Sequence, residues 1–348
     1  MLTLLLLILA GSADAGFLGD GFLSFAFQPL QFDDSALHPV TNEFGASVIP
    51  MGALPIESDL VSATVKPWSS HWFPRAEKDL FEDGKGGSAL EKYDLVRSTA
   101  TGEESRAAAF EKGRYDPDTV KWEGLCDAWS IASILFPEPI KPRNLRLNGG
   151  YRRLENQRVT FSVGDQKALL LKTVEALPTE ALKIYGQKFL GDFENWIYPD
   201  LLPQELHRFV EKQIFERRQP FVMDHDAGIE VWNEPVYKAN YRVSGVEGRS
   251  DAVFVRLWLY SAAPLRKEEK DRTGTKDVVR EYNYFLYGKP DGQGNLVVES
   301  GEWAKGALVD SRRDHPDYVF VIDDPAAVKR HSHNPEIDAS IVDQIIGR

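Results

Sequence analysis

A single cysteine, Cys126, is present among 348 residues, so no disulfide can form within the chain and no paired-cysteine zinc site exists. The HExxH, calcium-loop and phosphate-loop patterns are also absent, and no cofactor or metal is expected from motif spacing. Carboxylate metal sites need no motif and stay open. No apolar run is long enough to span a bilayer. Basic residues are in deficit, 41 against 53 acidic, for a formal charge of −12. With no basic patch carrying interleaved aromatics, sequence-independent nucleic-acid binding is disfavoured. Internal repeats and long low-complexity tracts are missing too. What remains is an acidic chain, 43 % hydrophobic and 11 % aromatic, long enough for one large domain or two small ones.

The first ten residues, Met1 to Ala10, form a short apolar run, and Ser12-Ala13-Asp14-Ala15 supplies an Ala-x-Ala site. This is the shape of a secretory signal cleaved after Ala15, without the usual basic start; the competing reading is a short buried element. Export leads to an oxidising compartment, secreted, periplasmic or cell-wall associated, where structural cysteines normally pair. A lone exported thiol is then either reactive or deeply buried.

The cysteine lies in Trp122-Glu123-Gly124-Leu125-Cys126-Asp127-Ala128-Trp129, ahead of an apolar run that stops at Phe136-Pro137. A Gly-x-Cys bend before small and apolar residues reads as a loop opening a helix, with the thiol in its first turn. Unpaired N–H groups and the helix dipole stabilise a thiolate there. Trp122, Trp129 and, further on, Trp232 are candidates to wall such a thiol from water; their alternative role is core packing. The alternative for Cys126 itself is a small buried hydrophobe.

Four segments follow in order: a signal at 1–15, an irregular amino-terminal wrap or pro-segment at 16–110, a core at 111–323, and a tail at 324–348 with a short helix near Ile341 to Ile346. In the first of the long segments, Ala46 to Pro50 reads as an edge strand and Gly84 to Ser88 as a flexible loop. Asp116-Pro117-Asp118 is a turn. Ser162-x-x-Asp165 predicts a capped helix, and Asp200 with Pro203 predicts another, with Leu206, Phe209, Val210 and Ile214 on its apolar face. From Phe221 the period changes. Phe221 to Met223, Tyr237 to Val243, Val253 to Tyr260, Tyr282 to Tyr287, Leu296 to Val298 and Tyr318 to Ile322 read as antiparallel strands, with Arg266 to Asp277 a solvated hairpin end. Helices first and a mainly antiparallel sheet second is an α+β order. It is also the order of papain-like and transglutaminase-like cores, in which a nucleophile helix packs on the sheet.

A catalytic thiol needs a base and a group to orient it. Of the seven histidines, His38, His71, His331 and His333 lie in irregular stretches, and His207 sits beside a helix's apolar face. His225 lies in the acidic turn Asp224-His225-Asp226. His315, in Asp314-His315-Pro316-Asp317 at the start of a strand, is the best placed; its alternative is a surface turn.

Val231-Trp232-Asn233-Glu234-Pro235-Val236 resembles the Val-Trp-Asn-Gln-Pro-Val peptide of the oomycete transglutaminase elicitor family, with Glu234 in place of Gln. Trp122 to Cys126 with Trp129, Leu90 to Asp94, Asp165 to Leu170, and Gly301-Glu302-Trp303 with His315-Pro316-Asp317 are similar to segments of the same family and its bacterial relatives. The resemblance implies a secreted protein-glutamine γ-glutamyltransferase with a Cys–Asp–His set in that order: Cys126, Asp224 in preference to Asp226, and His315. Its partners would be a glutamine donor and a primary-amine (lysine) acceptor. A cysteine hydrolase (protease, amidase or deamidase) on the same core and a non-catalytic exported binding protein are the alternatives.

Overall fold

The computed structural model describes residues 40–83, 87–149, 154–178, 181–188, 201–326 and 328–348. The expected signal at 1–15, the expected cap Asp200, and Gly84 to Gly86 of the expected flexible loop lie outside these residues.

The class is α+β. Strands β1 (Val48–Pro50), β2 (Ile56–Glu57) and β3 (Val61–Ser62) come first, then the hairpin β4 (Arg143–Gly149) and β5 (Leu154–Phe161). The remainder are β6 (Leu182–Gly186), β7 (Phe221–Asp224), β8 (Asn233–Val246), β9 (Arg249–Ala262), β10 (Asp277–Pro290), β11 (Asn295–Trp303) and β12 (Tyr318–Ile322). The main sheet runs β1-β11-β10-β9-β8-β7-β12-β6, with β2 and β3 paired to the far part of β8. Its strand pairs are all antiparallel. The six strands read from Phe221 onward are present, and each buries apolar residues. Residues 48–62 are woven into the same sheet as β1 to β3, β1 at its edge.

Helices cover both faces. On one lie α2 (Ala89–Thr101), α3 (Ala107–Gly113), α4 (Cys126–Leu135), α5 (Val163–Lys172) and α7 (Ala339–Ile346); on the other lie α1 (Val40–Phe44) and α6 (Pro203–Val210). Alternation along the central strands feeds the two cores. Val222, Tyr318 and Phe320 enter the core beneath α4, whereas Phe221, Met223 and Val319 enter the one beneath α6.

Local chemistry accounts for the helix ends. Ser162 Oγ accepts the Asp165 N–H at 3.2 Å while Asp165 Oδ2 accepts the Ser162 N–H at 2.9 Å, the reciprocal cap expected for α5. Ser88 and Glu91 cap α2 in the same way; this helix falls in a stretch read as irregular, because only Ala89, Leu90, Tyr93 and Val96 mark its buried face. At α6 the cap position is Leu202, with Pro203 in the first turn as expected, and the four expected apolar residues are buried. The residues from Arg266 to Asp277 are the expected, largely exposed connection between the paired strands β9 and β10. They pack on residues 67–70 and on Glu138, where Gly274 N–H meets the Glu138 carboxylate at 2.8 Å and the buried Lys167 Nζ donates to Ser69 O and Arg272 O. The tail is anchored by Ile341, Val342 and Ile345 in the core. Among the described residues no helix is long and apolar enough to cross a membrane.

Replacing Ser162 with Ala removes one arm of the α5 cap and is expected to lower unfolding free energy by about 1 kcal/mol in urea titration.

Candidate active site

Helix α4 is buried all round from Cys126 to Ser133, as befits a helix held between a sheet and other helices. Its small residues Ala128, Ser130 and Ala132 allow close approach, and Ser130 Oγ donates to Asn233 O at 3.0 Å. Trp129 is fully buried, its Nε1 donating to Trp68 O at 2.8 Å. The helix stops at Phe136, which is extended and precedes a proline.

Cys126 opens the helix and is 6 % exposed. Beneath it three neighbouring strands present one row of polar side chains. Asp224 is directly opposite Asn233 on β8 and Tyr318 on β12, so all three share the α4 face. Tyr318 Oη donates to Asn233 Oδ1 across β7 at 3.1 Å. Asp224 is wholly buried; its Oδ1 accepts the Trp232 N–H at 2.8 Å and its Oδ2 faces Lys188 Nζ at 3.3 Å. The same ammonium reaches Asp317 Oδ2 at 3.0 Å, Gly228 O at 2.6 Å and Glu230 O.

The loop between β7 and β8 covers the thiol. Cys126 Sγ lies 3.8 Å from Val231 O. Trp232 packs edge-to-face on Trp72, ring centroids 5.7 Å apart. Trp72 in turn closes on the approach to the helix, where its carbonyl accepts the Leu125 N–H at 2.6 Å. Phe73, with a left-handed φ of 47°, turns the chain so that Arg75 N–H meets Glu123 O at 2.8 Å. A Cβ on Gly124 would stand 2.8 Å from Trp72 Cδ1 and 2.9 Å from Trp72 O, so only glycine lets these segments approach this closely. Trp122 is half-buried in the preceding turn. A cleft of about 100 Å³ borders the same first turn, with Leu125 and Asp127 facing Phe73, Glu111, Tyr115 and His333.

Burial pushes the Cys126 thiol well above its ordinary range, and the Asp127 and Asp224 carboxylates add to this against the pull of nearby backbone N–H groups. Burial also raises Asp224, with Lys188 and the Trp232 N–H opposing. Tyr318 is raised well above the usual phenol value, first by burial and then by the Asp224 charge. At neutral pH the covered thiol is therefore protonated.

Of the sequence-predicted set, Cys126 and Asp224 are brought together. For His315, Nδ1 lies 3.0 Å from Ser311 O and the ring stacks on Trp303 of β11, centroids 5.1 Å apart. Ser311 Oγ accepts the Asn283 N–H of β10, and β10 is three strand spacings, roughly 14 Å, from β7. His225 follows Asp224 directly and acts on its charge. Its Nε2 is 3.4 Å from Glu234 Oε1. Burial raises Glu234, but His225, Arg280 and Ser261 outweigh that and hold it below its usual value. Lys188, Tyr318 and Trp72 escape sequence reasoning because no spacing marks them. Asn233 was visible inside the Val-Trp-Asn segment. A separate set, His71, Glu77 and Asp79, has ligand atoms suited to a metal ion.

Residues 96–252 match the transglutaminase elicitor family. The matched span contains Cys126, Asp224, His225 and the Val-Trp-Asn segment and stops before His315, so the elicitor resemblance read from the sequence stands on the Cys126 half of the site. The crystal structure of the GP42 transglutaminase from Phytophthora sojae has a similar fold, with a TM-score of 0.60 at 20 % identity over 91 % of this chain and 98 % of that one. No curated protein matches.

Two outcomes are expected from this geometry. Alkylation of Cys126 by iodoacetamide should climb about tenfold per pH unit from pH 7 to pH 10, as for a thiol whose pKa lies above that range, and Trp232→Ala should accelerate it at every pH; a plateau below pH 8 would contradict a raised pKa. Lys188→Met leaves two buried carboxylates without their cation and should destabilise the fold by about 3–5 kcal/mol in denaturant melts.

Proposed function

We propose that this chain is an exported transglutaminase, a protein-glutamine γ-glutamyltransferase that works through a Cys126 thioester on a papain-like, transglutaminase-like core. One observation carries the reading: the thiol opens a buried helix against the Tyr318–Asp224–Asn233 row, inside the span that matches the elicitor family. The fold shared with GP42 supports the core assignment.

Binding of a glutamine side chain displaces the Val231–Trp232 cover. In the opened site the Cys126 proton passes to the acid–base group, and the sulfur attacks the carboxamide carbon. N–H groups of the first turn of α4, that of Cys126 among them, hold the oxyanion; those of Leu125 and Ala128 are already given to Trp72 O and Asp127 Oδ1. The same proton leaves with ammonia, and a primary amine then resolves the thioester. Trp72 and, once the loop recloses, Trp232 keep water from competing with it.

Asp224 is the orienting carboxylate. For the imidazole, His225 is favoured over the sequence choice His315, because it adjoins Asp224, is held by Glu234 and lies on the loop that must move. The covered, neutral thiol favours a second reading, a non-catalytic exported binding protein that retains the fold.

The test supplies a glutamine-bearing protein and a fluorescent primary amine. Amine incorporation with one ammonia per bond is expected from the wild type and none from Cys126→Ala. His225→Gln should lower kcat at least about 100-fold, and His315→Gln less than tenfold; the reverse ranking returns the base to His315. Ammonia release without incorporation would identify a hydrolase. Neither product, with Cys126→Ala indistinguishable from wild type, would sink the enzyme reading.

A further inference from the structure

The segment that clamps the entrance to α4 holds a group of side chains that the acyl-transfer chemistry does not use. His71 and Asp79 are 1 % and 4 % exposed, and Glu77, half-exposed overall, turns a buried Oε2 toward them. One ligand atom from each lies within 4.8 Å of the other two. His71 Nε2, both Asp79 oxygens and Glu77 Oε2 are buried without a hydrogen-bond partner.

His71 Nδ1 lies 3.0 Å from Leu265 O. A carbonyl can only accept, so Nδ1 carries a proton, and in the neutral ring that leaves Nε2 with the lone pair. That lone pair is aimed at two carboxylates, Asp79 Oδ2 at 3.6 Å and Glu77 Oε2 at 3.7 Å. An imidazolium bonded to a carboxylate would sit at about 2.7–2.9 Å. Two donors that share one ion about 2.1 Å away in tetrahedral geometry sit roughly 3.4 Å apart, close to the spacing seen. A backbone carbonyl behind a metal-bound imidazole is also the usual way its ring is oriented.

We propose that His71, Glu77 and Asp79 bind one divalent transition-metal ion, of the zinc or manganese type. An imidazole with two carboxylates suits these ions, whereas calcium takes six to eight oxygens. The nine-residue ligand loop is short, which keeps the entropy of closing it small. Lys267, whose side chain is 47 % exposed, stands 3.7 Å from Glu77 Oε2 and 3.8 Å from Asp79 Oδ1. Its ammonium occupies the cation's place loosely and swings to solvent when the ion enters. The same loop donates Arg75 N–H to Glu123 O, offers Trp72 O to Leu125 N–H and pairs Arg75 with the Glu123 carboxylate. An ion there therefore fastens the turn leading into Cys126. The site stands whether or not Cys126 turns over.

The test is titration of the chelator-treated full chain with Zn²⁺, Mn²⁺ and Ca²⁺ by calorimetry, with Co²⁺ absorption as a probe of nitrogen and oxygen ligation. One Zn²⁺ per chain with a Kd of about 10 μM or tighter is expected, with Ca²⁺ weaker. Asp79→Asn and His71→Gln should each weaken binding at least tenfold, and His331→Gln should not. Since buried variants can misfold, Lys267→Ala provides an exposed substitution that should tighten Zn²⁺ at least threefold by removing the competing ammonium. No binding at 100 μM Zn²⁺, preference for Ca²⁺, or affinity unchanged by Lys267→Ala and by Asp79→Asn each overturns the proposal.

Discussion

One buried ammonium holds the centre of this structure together. Lys188 stands between Asp224 at the end of β7 and Asp317 at the start of β12, two carboxylates with no exposure to solvent. Without the cation, their repulsion and desolvation would oppose the pairing of these two strands. The same Nζ binds the carbonyls of Gly228 and Glu230 and so fixes the loop that carries Val231 and Trp232 over the thiol. Strand order, the charge beneath Cys126 and the cover above it thus depend on one side chain.

The resting site is buried and covered. Asp224 faces the thiol, but burial and its negative charge hold the sulfur protonated rather than activating it. The helix N-terminus, which alone would favour a thiolate, is outweighed. Trp72 and Trp232 meet edge-to-face at the mouth of the site. Under the proposed acyl transfer, substrate would have to open this site, and the loop between β7 and β8 is the part that would move. A metal-fastened 71–79 loop would brace the opposite wall, through its hydrogen bonds to residues 123–125, while that loop moves.

Legibility differed by kind of residue. The strands from Phe221 to Ile322 were readable because their apolar residues alternate or cluster between turn signals, and Ser162 announced α5 through its cap. Helix α2 was not, since its buried stripe is narrow and it lies in a stretch rich in Gly and Asp. The charged residues of 266–277 read as solvated because charge normally is, and most of them are exposed; the contacts of that loop's backbone with Lys167 and Glu138 were not legible. In the site, Cys126 was legible as the sole thiol before an apolar run, and Asp224 as the acid closing a strand. His315 was chosen by the same strand-end logic, which cannot tell which strands neighbour one another.

From sequence alone follow the lack of disulfides, the α+β order, the helix beginning at Cys126 and the resemblance carried by the Val-Trp-Asn segment. These depend on local periodicity, caps and residue type. The tertiary structure decided which side chains meet. It set Asp224, Asn233 and Tyr318 in one row, placed Lys188 between two acids, turned Trp72 onto Gly124, and gathered His71, Glu77 and Asp79 around a common point. Those meetings depend on strand order and loop path, which arise from long-range packing and leave no mark in the spacing of residues along the chain.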